Sequence, residues 1–556
     1  MTNEFNEEPP VHDQASCATA VAEVEVAVSP GEEVEAQRLL QRTPRSYLLN
    51  QAYGLWFFIS SFLMTLIITR QVSTEQYGVY VVALTAFNTI QYLVAFGLED
   101  ATTTFVPRIW AEHGKADAAS LIRRLLGLRL SVLVVGVLCM LYGLPLLAYI
   151  IALVPIPGTA AVAQGLRAPA LLTHILPLAV YVLGSSAAGL LTAVCAALMR
   201  MTIVFVIGCA TQLLLLGLSF YVLHLGWGID GILWLLALVS LVNAAAFALW
   251  LAPQIFRRGV AYKPSFKPIL QLGVSSWLTN LASGALFKQI SVLLLNMFAV
   301  SLTGIAYFNL SFQLADSANT LLVAGFGGVG GAALATAFVG HNHERLGRSW
   351  QVLIKVETLL AVTGLVFCLF NAPNIAHVLY GSKYDPIGPL FTIFLFFNIL
   401  VRILGTTIHQ SALYVVGKAR LVVLSQWAGL LVVLLLGILL VPLAGPAGAL
   451  IADGVAKTVA GGLMLLFLLK DIPRKHLTEL AGFTLRFLAA LLFAALPSLL
   501  WHPTRPILLL VSAGLFLGLC IGFLCWLKPL NAGDWELLTH MNPRFARYFR
   551  WFVRKG

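Results

Sequence analysis

Residues 202–258 read TIVFVIGCATQLLLLGLSFYVLHLGWGIDGILWLLALVSLVNAAAFALWLAPQIFRR. Two apolar runs, 202–225 and 229–252, flank Gly226-Trp227-Gly228, and Asp230 is the sole Asp, Glu, Lys or Arg before Arg257. A bilayer core about 30 Å thick takes roughly 20 apolar residues per helix, so each run is long enough to cross once. Hydrocarbon offers no water to satisfy backbone amides, which leaves the helix as the solution for runs of this length. The alternating ten-residue pattern of an outer-membrane barrel is absent.

Working outward from this pair, similar runs recur along the chain. The expected spans are 46–69, 78–99, 125–152, 171–197, 202–225, 229–252, 270–299, 306–333, 352–371, 390–415, 421–441, 446–469, 484–502 and 507–528. Fourteen transmembrane helices make an all-α integral membrane protein. A hydrophobic fraction of 59% and a charged fraction of 11% across 556 residues agree, since no soluble core of this size needs so much apolar sequence.

An even number of spans puts both termini on one side, and basic residues in short loops identify it. Lys and Arg crowd the loops after even-numbered spans, among them Arg123, Arg124, Arg257, Arg258, Lys418 and Arg420. Loops after odd-numbered spans carry just Arg70, Arg167, Lys383 and Arg505. The expected location is therefore a cell membrane with both termini cytoplasmic. Because the net charge of +11 is spread over these loops, it reads as an orientation signal and excludes a nucleic-acid-binding face.

The halves resemble each other. Tyr77-Gly78-Val79-Tyr80 answers Gly304-Ile305-Ala306-Tyr307, and Glu112-His113-Gly114 answers Gly340-His341-Asn342. Both offsets are close to 227 residues, which suggests parallel repeats. The implied organisation is an acidic disordered tail over 1–45, a six-helix lobe over 46–252, a second over 270–469, two extra helices over 484–528 and a basic cytoplasmic tail over 529–556. The first thirty-five residues hold nine acidic and no basic residues, unlike a secretory signal. The basic, aromatic C-terminal tail reads either as positive-inside anchoring or as an interfacial helix on anionic lipid.

Several motifs carry a family resemblance. They are Arg70-Gln71-Val72-Ser73-Thr74-Glu75-Gln76-Tyr77-Gly78-Val79-Tyr80, Gly97-Leu98-Glu99-Asp100-Ala101, Leu379-Tyr380-Gly381-Ser382-Lys383-Tyr384, Gly417-Lys418-Ala419-Arg420 and Pro442-Leu443-Ala444-Gly445-Pro446-Ala447-Gly448-Ala449. In this order the chain resembles the oligosaccharide flippases of the polysaccharide-biosynthesis branch of the multidrug/oligosaccharidyl-lipid/polysaccharide exporter superfamily. The resemblance implies two lobes around a central cavity. It also implies a polyprenyl-diphosphate-linked oligosaccharide as substrate, turned from the inner to the outer leaflet, with polysaccharide assembly proteins as partners beside membrane lipids. A long acidic N-terminal tail and a basic, aromatic C-terminal tail depart from the family pattern.

Ionisable groups inside spans are costly, about 2.5–3.5 kcal/mol at a lipid-facing helix centre on insertion scales, so they turn inward. These are Lys288, Asp316, Arg402, Asp453 and Lys457. Asp453 and Lys457, four apart, share a helix face and can neutralise each other. Lys288, Arg402, Asp316 and Lys457 are the candidate substrate-binding residues, because a diphosphate leaving water needs positive charge and donors. The structural alternative is a Lys288–Asp316 bridge, with Arg402 on helix-end carbonyls. Asp316 and Asp453 are the candidate ion-coupling groups, and Gly325, Gly327 and Gly328 a candidate hinge beside their packing role.

No catalytic motif, nucleotide loop or metal-ligand spacing occurs, so neither an enzyme nor a cofactor is expected, and the seven cysteines read as free thiols. The remaining rivals are a peptidoglycan-precursor flippase, a drug/cation antiporter of the same superfamily, and a membrane glycosyltransferase or ligase.

Overall fold

The computed structural model describes residues 30–138, 173–255, 266–281, 286–323, 342–541 and 547–554, apart from 199 and 548, with scattered positions within 142–153 and 333–338. These residues are overwhelmingly helical. The one extended pairing among them is an isolated bridge between Leu530 and Val553.

The first lobe comprises α1 (Pro30–Gln71), α2 (Thr74–Val94), α3 (Leu98–His113), α4 (Lys115–Leu138), α5 (Ile175–Ala197), α6 (Met201–His224) and α7 (Gly228–Ile255). Helix α1 starts well before its expected span, so the tail expected to be disordered over 1–45 is already helical from Pro30. The local reason is a proline at the start followed by Glu-, Leu-, Gln- and Arg-rich sequence, all good helix formers. Ser73 and Gln76 form a reciprocal capping box that starts α2. Gly97, with φ of +59°, sets the bend between α2 and α3.

The second lobe comprises α8 (Phe266–Asn280), α9 (Leu286–Met297), α10 (Leu302–Val323), α11 (His343–Phe370), α12 (Ala372–Tyr380), α13 (Ile387–Leu404), α14 (Thr406–Val415) and α15 (Ala419–Leu468). Helices α16 (Arg474–Leu500), α17 (Pro506–Leu527) and α18 (Ala532–Met541) follow. A straight helix of the length of α15 would run about 75 Å at 1.5 Å per residue, far beyond a bilayer. Gly445, at φ 53° and ψ −128° between Pro442 and Pro446, breaks it. Gly429 then lies against Ala456 and Ala460, so the two legs run antiparallel and match the expected spans 421–441 and 446–469.

Nine helices among the described residues are long and apolar enough to cross a membrane, and the α15 hairpin counts as one of them. The expected spans 125–152, 270–299 and 306–333 run partly through residues outside the description, as do Gly325, Gly327 and Gly328. The outer surface is itself apolar: Leu249, Leu443 and Ile507 are each about three-quarters exposed. Monomeric soluble proteins rarely show such patches. Lipid is the environment that makes them stable, and the chain is a multi-pass membrane protein.

The lobes meet where α2 packs on α9 and α10, and again where α8 packs on α3. At the second contact Gly97 meets the Gly273 backbone so closely that a Cβ would overlap its carbonyl. Phe96 stacks on Trp277 at 5.0 Å, and the Trp277 indole donates to the Tyr92 carbonyl at 2.8 Å.

The C-terminal segment differs from a free basic tail or an interfacial helix. Lys355, fully buried on α11, donates to both carboxylate oxygens of Asp534 on α18 at 3.0 and 2.8 Å. Arg348 donates to the Gly533 carbonyl, and Arg554 N donates to the Leu530 carbonyl at 2.8 Å. A buried lysine needs a counter-charge, and the segment after α17 supplies it.

Candidate functional site

Four helices of the second lobe bring charged groups together around an aromatic pair. The rings of Phe312 on α10 and Phe394 on α13 stack at 4.6 Å. The Lys457 ammonium, from α15, sits 4.7 Å from both ring centres. Lys288 on α9 lies 5.3 Å over the Phe312 ring. Aromatic faces hold ammonium groups electrostatically without neutralising them, so both lysines keep donors available.

Asp453, fully buried, is an ion-pair partner of Lys457 at 3.3 Å but makes no hydrogen bond. Asp316 is one helical turn beyond Phe312 on α10 and exposed. Lys288, Lys457, Asp316 and Asp453 lie within electrostatic reach of one another. Lys288 and Asp316 do not form an ion pair. On the same helices, Gln289 follows Lys288 on α9 and Asn398 stands four residues beyond Phe394 on α13; the side-chain oxygen of the first and amide nitrogen of the second are buried without hydrogen-bond partners. Unpaired buried polar atoms of this kind are expensive unless a ligand or water satisfies them.

Arg402 is placed differently. Its guanidinium is paired with Glu357, which is buried on α11, and donates to Asn319 at 2.7 Å and Thr407 at 2.9 Å. Helices α10, α11 and α14 are thereby tied to α13, and the neighbours of Arg402 are side chains instead of the expected helix-end carbonyls. Glu357 escaped the sequence reading because it stands close to the edge of the span 352–371. Its signal was present, since a carboxylate in an apolar run must find a cation.

Among these described residues, three cations, Lys288, Lys457 and Arg402, stand against three carboxylates, Asp316, Asp453 and Glu357. A similar pair holds the first lobe, where Arg129 donates to Glu99 at 2.7 Å and to the Ala95 carbonyl at 2.8 Å beside the α2–α3 bend. An apolar cavity of about 430 Å³ lies apart from this cluster, lined by Trp350, His409, Leu404, Leu480 and Thr484 between α11, α13, α14 and α16. It touches none of the four clustered charges.

No family model matches the sequence, and no curated protein matches it. Solved structures do. An inward-facing multidrug resistance MATE family transporter of the MOP superfamily aligns at a TM-score of 0.59 and 16% identity over 73% of this chain and 92% of its own. The lipid II flippase MurJ, in an inward closed conformation, aligns at a TM-score of 0.59 and 12% identity over 85% of this chain and 97% of its own. The chain therefore has the fold of these MOP superfamily transporters, an α-helical bundle built to cross the membrane many times.

Proposed function

We propose that the protein is a flippase that moves a polyprenyl-diphosphate-linked oligosaccharide from the inner to the outer leaflet by alternating access. The observation that carries this reading is the seating of Lys288 on Phe312 and of Lys457 on the stacked Phe312–Phe394 pair, beside the buried Asp453 carboxylate that makes no hydrogen bond. Phosphate oxygens accept from ammonium groups, and sugar hydroxyls both donate and accept, so the set offers partners to each part of such a headgroup. The polyprenyl chain stays in lipid. Asp316 and Asp453 are the ion-coupling carboxylates, and both termini face the cytoplasm. Arg402 contributes by holding α13 in place. The likeness to a lipid II flippase and to a drug transporter supports the fold on which this reading stands and leaves the substrate to the chemistry of the site.

Purified protein in vesicles, with a fluorescent lipid-linked oligosaccharide loaded in one leaflet, tests the proposal. Headgroups should become accessible to an impermeant quencher in the other leaflet, with the substrate's mass unchanged. Lys288→Ala should slow this by about tenfold, the weight of one charge-assisted contact. Lys457→Ala should be paired with Asp453→Asn, so that no bare carboxylate confuses the result. Headgroup transfer no faster than in empty vesicles rejects the substrate. Export of a cationic amphiphile in its place would favour the antiporter reading, for which the carboxylates Asp316 and Asp453 are the specific support.

A further inference from the structure

Two of the four basic residues in the loops after odd-numbered spans are engaged in the same way. Arg70, at the end of α1 in the first lobe, donates to the carbonyl of Leu379 in the last turn of α12 in the second, at 3.1 Å. Lys383, just beyond α12, donates back to the carbonyl of Val72, just beyond the C-terminus of α1, at 2.9 Å. Each lobe thus places a cation on the C-terminal end of a helix in the other. The last carbonyls of a helix lack intrahelical donors and carry the negative end of its dipole, so each is an acceptor suited to a cation.

The same end of the molecule holds a close approach between the lobes. Gly78 on α2 meets Leu302 at the start of α10, where a Cβ would overlap the Leu302 carbonyl. Asn309 donates to the buried Tyr77 hydroxyl at 2.9 Å, and Gln313 donates to Thr65 at 2.8 Å deeper in the interface. Tyr77 also stacks obliquely near Tyr80, and Tyr307 and Tyr380 both pack on Tyr384. The buried hydroxyls of Tyr380 and Tyr384 have no hydrogen-bond partner. An interface that leaves polar atoms unsatisfied when shut is favoured less strongly than a fully paired one, and so opens more readily.

We propose that Arg70 and Lys383 form a reciprocal latch that shuts the outer end of the cleft between the lobes, with Gly78 as the point of contact beneath it. The latch rests on the alternating-access reading and on the orientation that puts these loops outside. It does not depend on which substrate is carried. Both cations are exposed, so water can replace the carbonyls at modest cost, and the two bonds bias the closed state without locking it. Because the donors come from opposite lobes, both bonds are lost together when the lobes separate at this end.

The test uses intact cells and a membrane-impermeant maleimide added outside. Asn309→Cys, buried under the latch, reports opening, and Ser382→Cys, exposed in the outer loop, reports insertion and sidedness. Ser382→Cys should label quickly in every background. Labelling of Asn309→Cys should be slow alone and rise by about tenfold with Arg70→Ala and Lys383→Ala together, the effect of roughly 1.4 kcal/mol on an opening equilibrium. Gly78→Ala, which wedges the lobes while keeping both cations, should raise it as well. The exchange Arg70→Lys with Lys383→Arg keeps both donors and should stay slow. Equal labelling of Asn309→Cys in all four backgrounds overturns the latch, as does a Ser382→Cys shielded from the outside. Since no transport is measured, a failed substrate assay and a failed latch are separate results.

Discussion

Two cations that look alike in sequence have different surroundings. Arg402 and Lys288 both interrupt apolar runs, yet Arg402 has a buried carboxylate beside it and Lys288 has an aromatic face. Arg402→Leu should therefore destabilise by about 3–5 kcal/mol, because Glu357 is left charged and buried. Arg402→Leu with Glu357→Leu should restore most of the loss. Thermal unfolding of the purified protein in detergent checks both, and an unchanged midpoint in the single variant would show that the pair does not hold the lobe. Lys288→Ala removes a cation–π contact of about 0.5–2 kcal/mol and strands no paired carboxylate, so its midpoint should fall less. Loss of transport with normal abundance is the signature expected of Lys288 and not of Arg402.

Among the elements, the C-terminal segment departs furthest from its sequence reading. Its basic and aromatic residues read as positive-inside anchoring of a cytoplasmic tail or as an interfacial helix, but Asp534 makes it the counter-charge of a transmembrane-lobe lysine. Removing residues 529–556 should lower membrane abundance several-fold, because Lys355 then has no partner. Lys355→Met in the truncated protein should restore it. Immunoblotting of the membrane fraction reads the outcome, and full abundance of the simple truncation would mean that the segment is dispensable. The α15 hairpin shows the opposite relation. Its Pro442 to Pro446 turn was legible in sequence as a span boundary, since two prolines around a glycine cannot continue a helix.

At the scale of the whole molecule, loop charge predicts the proposed orientation with both termini cytoplasmic. Ser382→Cys should react with an impermeant thiol reagent on intact cells, and Arg420→Cys should react only after the membrane is opened. The reverse pattern would invert the molecule and move the Arg70–Lys383 latch to the cytoplasmic side. The lobes touch at both ends: through α2, α9 and α10 at the latch, and through α8 against α3 at the other. A transporter of alternating access must break one such contact at a time. Each end combines a close glycine approach, Gly78 on Leu302 or Gly97 on Gly273, with side-chain bonds, from Arg70 and Lys383 at the latch and from Trp277 and Ser276 at the other.

By itself the sequence determined that the chain is helical and that it crosses a membrane repeatedly. Those properties depend on the length and polarity of contiguous runs, and bilayer thickness acts on runs one at a time. It also marked Lys288, Asp316, Arg402, Asp453 and Lys457 as inward-facing, because lipid penalises a charge wherever its partner stands. The spacing of four also paired Asp453 with Lys457, as the structure shows at 3.3 Å, but partners far apart in the chain were decided by tertiary structure. Glu357 is 45 residues from Arg402, and Asp534 is 179 from Lys355. Arg70 reaches a carbonyl 309 residues away. Periodicity along one helix carries no information about such distances; packing of helices from different parts of the chain creates them.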